Sequence, residues 1–306
     1  MRFAISIPQH VPDGTFDPSG FLSHLARAET LGFDSAWAQE QVVGSLPHLS
    51  PAEILTYATA RTSQLRLGCG VFVSTLHSPL HLAKSLSTLD QLSRGRIEVG
   101  VGTGGRGRMF SAFGVDADSM VARFTEGVQL MKACWTEPTI TFPGRFWQVK
   151  GAAMEPKPFQ KPFPPLWFGG SHPAALRRAV RHGDGFFGAG STTTADFAGQ
   201  VRIVREALAE TGRDAAGFRI AKRVYIAIGD DGARARERLA AALDGLYGYF
   251  GLTGMSAVAV AGPPGACVEG LREVAAAGAE LILLNPLYDD AEQMERLAAD
   301  VVPQLR

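Results

Sequence analysis

The amino-acid sequence predicts an α/β fold, a single (β/α)8 barrel running over residues 1–306. Three observations predict it. Eight short runs are predominantly apolar, as strands buried on both faces of a parallel sheet tend to be. The runs alternate with stretches whose apolar residues recur at helical spacing, and such alternation belongs to a parallel sheet with crossover helices. The length of 306 residues suits one closed barrel, for which about 250 is typical.

Taken in order, the first strand is 3–7, ended by Pro8. Asp17 and Pro18 open a helix with Phe21, Leu22, Leu25 and Ala28 on one face, and Gly32 supplies its stop. Residues 35–38 form the second strand and lead into the polar loop Gln39-Glu40-Gln41. Ser50-Pro51-Ala52-Glu53 reads as a capping box that starts a helix to about residue 62. The third strand is 65–73; Ser78 and Pro79 then begin a helix with Leu82, Leu86, Leu89 and Leu92 at helical spacing. The fourth strand, 97–101, ends in Gly102-Thr103-Gly104-Gly105. A helix over 120–135 follows, with Arg123 and Glu126 placed to form a surface ion pair.

From about 137 to 165 the pattern changes, and an excursion is inserted after the fourth helix. Pro143-Gly144 separates two β-like runs, which predicts a hairpin, and PKPFQKPFPP continues as extended chain. Alternation resumes with strands at 166–169, 185–188, 218–228 and 281–284, and helices from Pro173, Thr194, about Asp231, about Gly265 and about Asp290.

A barrel gathers its functional loops on the rim at the carboxyl ends of the strands. Here that rim holds Pro8 to His10, Gln39 to Gln41, Gly70 to His77, Thr103 to Arg108, Gly169 to His172, Gly188 to Thr193 and Asn285. Gly100, Gly102 and Gly105 match G-x-G-x-x-G, but the dinucleotide fingerprint needs an acid ending the next strand, and Glu126 lies in a helical stretch. Without that fold the physics remains. Small residues let backbone amides approach an anion, and Arg106 and Arg108 add positive charge. The helix opening at Ser171-His172-Pro173 offers a second anion cradle, so the rim suits a ligand with a phosphate.

Composition narrows the function. A formal net charge of +0 argues against nucleic acid or an anionic membrane as the main partner. There is neither an apolar run of signal-peptide type at the start nor a later one long enough to span a bilayer, which predicts a cytoplasmic protein. Cys69, Cys134 and Cys267 are few and far apart, and read as buried hydrophobes. No C-x-x-C or H-E-x-x-H occurs, so no metal is expected.

Three stretches carry a resemblance: HSPLHLAKSLSTLDQLSRGRIEVGVGTG, EPKPFQKPFPPLWFGG followed by LRRAVRHGDGFF, and AGPPGACVEGLREVAAAGAELILLNP. Through them nearly the whole chain resembles the luciferase-like monooxygenase superfamily, whose members include bacterial luciferase and the oxidoreductases that use coenzyme F420. The resemblance implies a bulged third strand with a non-proline cis peptide under the cofactor ring, here at Gly70-Val71. It implies phosphate contacts at Thr103 and Gly104 and at Gly170 and Ser171, with Gly105, Arg106 and Gly169 beside them. One departure is informative: Glu40 matches the family's acid, but Gln41 stands where the dehydrogenases carry a basic histidine. Glutamine takes no proton near neutral pH, which favours reduction over alcohol dehydrogenation.

The expected function is therefore hydride transfer between F420 and a small organic substrate, by a homodimer. The alternatives are an FMN-dependent monooxygenase fed with reduced flavin, and a flavin-binding protein without catalysis. Glu40 is the first candidate for proton transfer, with His10 and His77 behind it; Glu40 is equally placed to hydrogen-bond the ring. Tyr247, Tyr249 and Phe250 are candidates for the substrate wall, while Trp37, Trp135, Trp147 and Trp167 read as core.

Overall fold

Strands form where the apolar runs predict them. In the computed structural model, which describes every residue except Pro12, Ser45, 106–109, 249–250 and 252–253, chain order begins β1 (Arg2–Ser6), α1 (Pro18–Thr30), β2 (Ser35–Ala38), α2 (Pro51–Thr59). Then come β3 (Arg66–Val73), α3 (Pro79–Ser93), β4 (Ile97–Gly102), α4 (Met120–Thr136) and the hairpin β5 (Ile140–Pro143) with β6 (Gln148–Ala152). The chain continues as β7 (Leu166–Gly169), α5 (Pro173–His182), β8 (Gly185–Gly188), α6 (Thr194–Thr211), β9 (Arg219–Ile228) and α7 (Gly232–Gly248). It ends with β10 (Ala259–Gly262), α8 (Pro264–Ala276), β11 (Leu281–Asn285) and α9 (Asp290–Arg296).

Among the described residues, eight parallel strands close a ring in the order β9-β11-β1-β2-β3-β4-β7-β8. The seam is β8 against the start of β9, from Gly185↔Arg219 to Gly188↔Lys222. Beyond that seam β9 pairs instead with β10, from Ala259↔Tyr225 to Gly262↔Ile228. β10 was not expected from the sequence, and α7, expected from about Asp231, extends to Gly248.

Alternate side chains of each strand feed two cores. Phe3, Ile5, Leu67, Phe168 and Ile220 pack outward, in one cluster with helix residues such as Leu25 and Leu86. Ala4, Trp37, Trp167, Phe187, Ala221, Leu281 and Leu283 form the second cluster, which fills the barrel. Trp37 meets Trp167 edge-on at 5.9 Å and Phe187 at 4.7 Å. Room for the indoles comes from glycine, since a Cβ on Gly68 or Gly185 would lie 2.6 Å from a ring carbon of Trp37 or Trp167. Truncating either tryptophan to alanine costs about 3–5 kcal/mol.

Local chemistry corrects several expectations. Ser50 makes no backbone cap; its hydroxyl turns to the Glu53 carboxylate, and α2 ends at Thr59. Ser78 likewise makes no side-chain cap. Leu92 is 57% exposed, because only Leu82, Leu86 and Leu89 share the inward face of α3. Glu126 does not pair with Arg123. Its carboxylate accepts the backbone N–H groups of Arg145, Phe146 and Trp147, while the Arg123 guanidinium lies 4.5 Å from the Trp147 ring centroid.

Candidate active site

Each loop at the carboxyl end of the barrel is shaped by the strand that precedes it. The register of β3 against β4 slips between Cys69 and Phe72, leaving Gly70 and Val71 as a bulge, and the Gly70-Val71 peptide is cis. The Val71 side chain fills the space that side chains on two neighbouring strand ends would need. A Cβ on Gly102 would lie 2.7 Å from one of its methyl groups, and a Cβ on Gly169 3.0 Å from the other. Gly104 has φ +72°, a left-handed conformation that favours glycine, and a Cβ there would meet Val73 at 2.6 Å. The Thr75 hydroxyl donates to the Thr103 carbonyl at 2.8 Å, tying the loop after β4 to the end of β3.

These loops surround a cavity of about 260 Å³, lined in part by Gly70, Val71, Thr103, Gly104, Gly169 and Gly170. Six of the residues expected to bind cofactor thus share one cavity. Gly105 and Ser171 are exposed on the adjoining loops, Ser171 just before α5. Arg106, Arg108, Tyr249 and Phe250 lie outside the described residues.

Glu40 and His77 come together, as neighbours of that cavity's bulge rather than among its lining. The Glu40 side chain is 4% exposed; one oxygen accepts the Val73 N–H at 2.6 Å and the other lies 2.9 Å from His77 Nε2. His10 stands apart and packs edge-on against His48 at 5.3 Å. Burial, followed by the nearby charges of His10 and Arg223, lowers the His48 imidazole to about 4. Gln41, in the place of the family histidine, has its Oε1 buried without a hydrogen-bond partner.

The main residue absent from the sequence-based expectation is Arg223. It lies within β9, lines the cavity and is 7% exposed. Its guanidinium donates to Gly70 O at 2.8 Å through Nη2 and to Gln39 Oε1 through Nη1, while Nε is buried without a partner. Gln39 is held in turn by Gln9, whose Oε1 accepts the Gln39 N–H at 2.5 Å and whose amide donates to Gln39 O at 2.7 Å. The next residue back, Lys222, faces the other way. It is 2% exposed and donates to the carbonyls of Ala189 and Thr192, and burial plus the adjacent Arg223 lower it to about 7. Tyr247, also lining the cavity, shares a 2.9 Å contact with the Tyr225 hydroxyl, and burial pushes its phenol above the usual range. One signal for this cluster was present in the sequence: the adjacent cations Lys222 and Arg223 in the middle of a strand that is apolar apart from them and Arg219 at its start.

Ser74 Oγ, Arg223 Nε, Gln41 Oε1 and Asn285 Oδ1 are buried polar atoms of this rim without a partner. Such atoms are costly unless something pairs with them. Of the four only Arg223 lines the cavity, where its Nε–H is available to an acceptor such as a ring carbonyl. No group of three or more His, Cys, Asp or Glu placed to hold a metal occurs among the described residues.

Known proteins share this architecture. The chain is 28% identical to the uncharacterised protein y4vJ of Sinorhizobium fredii over 67% of its own length and 59% of that protein's. It is 27% identical to the F420-dependent glucose-6-phosphate dehydrogenase of Intrasporangium calvum, covering 95% of this chain and 96% of that one. The structure of an F420-dependent secondary alcohol dehydrogenase superposes with a TM-score of 0.86 at 18% identity, covering 100% of this chain and 99% of the other, which shows a common fold. The model of one family matches residues 1–281, which include every strand of the ring as far as the first residue of β11, and so the chain belongs to the luciferase-like monooxygenase family.

Proposed function

We propose that this protein is an oxidoreductase that binds coenzyme F420 in the glycine-walled cavity and reduces a carbonyl, imine or activated double bond. The observation that carries the reading is the cavity itself: the bulge at Gly70-Val71 and the loops at Thr103-Gly104 and Gly169-Gly170 line one space in a member of this family. Similarity along almost the whole chain to an F420-dependent dehydrogenase supports the choice of cofactor. Gln41, unable to act as a base, supports reduction.

In this reading Thr103, Gly104, Gly170 and Ser171 hold the cofactor phosphate, with Gly105 and Gly169 flanking them and Arg106 adding charge. Gly70 and Val71 support the ring. When bound, the cofactor supplies the hydride for the substrate's electrophilic carbon. The accompanying proton comes from His77, which is 31% exposed, and Glu40 positions the imidazole from its buried side. The reading takes the protein as a cytoplasmic homodimer acting on a small molecule, without a nucleic-acid or membrane partner. Its net charge of +0 supports the small-molecule part. No helix of the described residues is long and apolar enough to cross a membrane.

The test is titration with F420 and with FMN, followed by anaerobic mixing of reduced F420 with a panel of enones, imines and ketones. Tighter binding of F420, with substrate-dependent return of its oxidised absorbance, is expected. Tight FMN binding without measurable F420 binding would overturn the assignment in favour of a flavin monooxygenase, and ring binding without turnover of any kind would leave a carrier protein.

A further inference from the structure

We infer that Arg223 is the counter-ion of an anion bound in the cavity, either the charge-bearing pyrimidine edge of the cofactor ring or a carboxylate of the substrate. The inference rests on the reading of this cavity as a cofactor site. Three observations carry it.

The first is position. Going round the ring, β9 and β3 are separated by β11, β1 and β2 one way and by β8, β7 and β4 the other. Arg223 therefore reaches across the full width of the barrel to bond Gly70 O, on the bulge against which the ring would rest. The second is charge. Among the described residues no carboxylate lies within ion-pair distance of Arg223, and the adjacent residue in sequence is another buried cation, Lys222. A buried guanidinium without a counter-charge is unfavourable unless a ligand supplies one. The third is unused hydrogen-bonding capacity. Of five N–H donors, one goes to Gly70 O and one to Gln39 Oε1, while the Nε–H is buried with no partner.

A purely structural role does not need the charge. A neutral amide could satisfy Gly70 O and Gln39, whereas the planar fork of arginine suits paired anionic acceptors such as a carboxylate or an N–C–O⁻ edge. Gly190 leaves this side of the cavity open, because a Cβ there would lie 2.5 Å from the Tyr225 ring and 3.1 Å from Arg223 Cδ.

The experiment compares wild type, Arg223→Gln and Arg223→Lys, first by thermal melting and then by titration. Whichever of F420 and FMN the wild type binds is titrated in its oxidised and its dithionite-reduced form. Benzoate and benzamide are titrated against the cofactor-loaded and the cofactor-free protein. A loss of tenfold or more in Arg223→Gln, partly restored in Arg223→Lys, which keeps the charge but not the fork, supports the inference. If the loss is confined to the cofactor and unequal between its redox forms, the anion is the ring. If cofactor binding is kept and benzoate, not benzamide, is lost, the anion is a substrate carboxylate. Unchanged affinities in Arg223→Gln overturn the inference. So does an equal loss of all ligands in both variants with a lowered melting temperature, which marks a structural strut. A wild type that binds neither cofactor defeats the F420 reading alone, because benzoate binding by the cofactor-free variants still decides the role of Arg223.

Discussion

Glu40 has both carboxylate oxygens engaged, one by the Val73 amide at the end of β3 and one by His77. Glu40→Gln keeps the shape and an acceptor for the amide while removing the charge beside the imidazole. If His77 moves the proton, turnover should fall by about 10²-fold or more, within the range for general acid–base catalysis, while cofactor affinity changes less than tenfold. Steady-state turnover and a cofactor titration on the same preparation check this; the opposite split would reduce Glu40 to a brace for β3. The glycines and His77 could be picked out from the sequence because their neighbours form dense motifs, and Glu40 through the family resemblance. Arg223 stood out only as a cation within a strand, since a strand periodicity shows which residues share a face but not which cation lacks a partner. Only the folded ring brings Gly70 and Gln39 to the guanidinium. His10 shows the converse: it shares the rim with Glu40 but packs on His48 instead.

The elements easiest to read were the buried strands, because a parallel strand covered on both faces is a nearly continuous apolar run. β10 escaped notice because Ala259–Gly262 is short and made of small residues, and it pairs only with the part of β9 that extends past the seam. The inserted hairpin was recognisable from Pro143-Gly144, but its anchor was not. Glu126 gathers three consecutive hairpin amides on one carboxylate, and hydrogen bonds to a charged group are stronger than neutral ones. Glu126→Ala should cost about 1–3 kcal/mol and act locally. Hydrogen exchange should speed up at the amides of Arg145, Phe146 and Trp147 while the barrel strands keep their protection; unchanged exchange there would show that Arg123 stacked on Trp147 holds the hairpin unaided.

At the scale of the whole molecule, buried bases set the pH response. Burial lowers His24 and His48 from 6.5 to about 4. The unfolded chain thus binds protons that the folded one refuses, and stability falls as pH drops from about 6.5 towards 4. Asp290 works against this, raised from 3.8 to about 6 by burial and by Asp289, so its contribution is lost as pH rises across that window. Two histidines outweigh one aspartate, and the net slope should favour neutral over acidic pH. Thermal melting from pH 4.5 to 8 checks it, with a shallower acid slope expected for His24→Gln; melting temperatures that rise on acidification would contradict the assignment. Closure of the ring adds a constraint of another kind. Lys222 and Arg223 are consecutive, so they project to opposite sides of one wall, and β9 is clamped by β8, β10 and β11. Adding or deleting a single codon in β9 would reverse the parity of everything after it, turning an ammonium into the cavity and a guanidinium into the helical layer. The segment from 137 to 165 lies outside the ring and a length change there leaves the ring's parity intact, so over evolutionary time length variation should accumulate there and be nearly absent from β9.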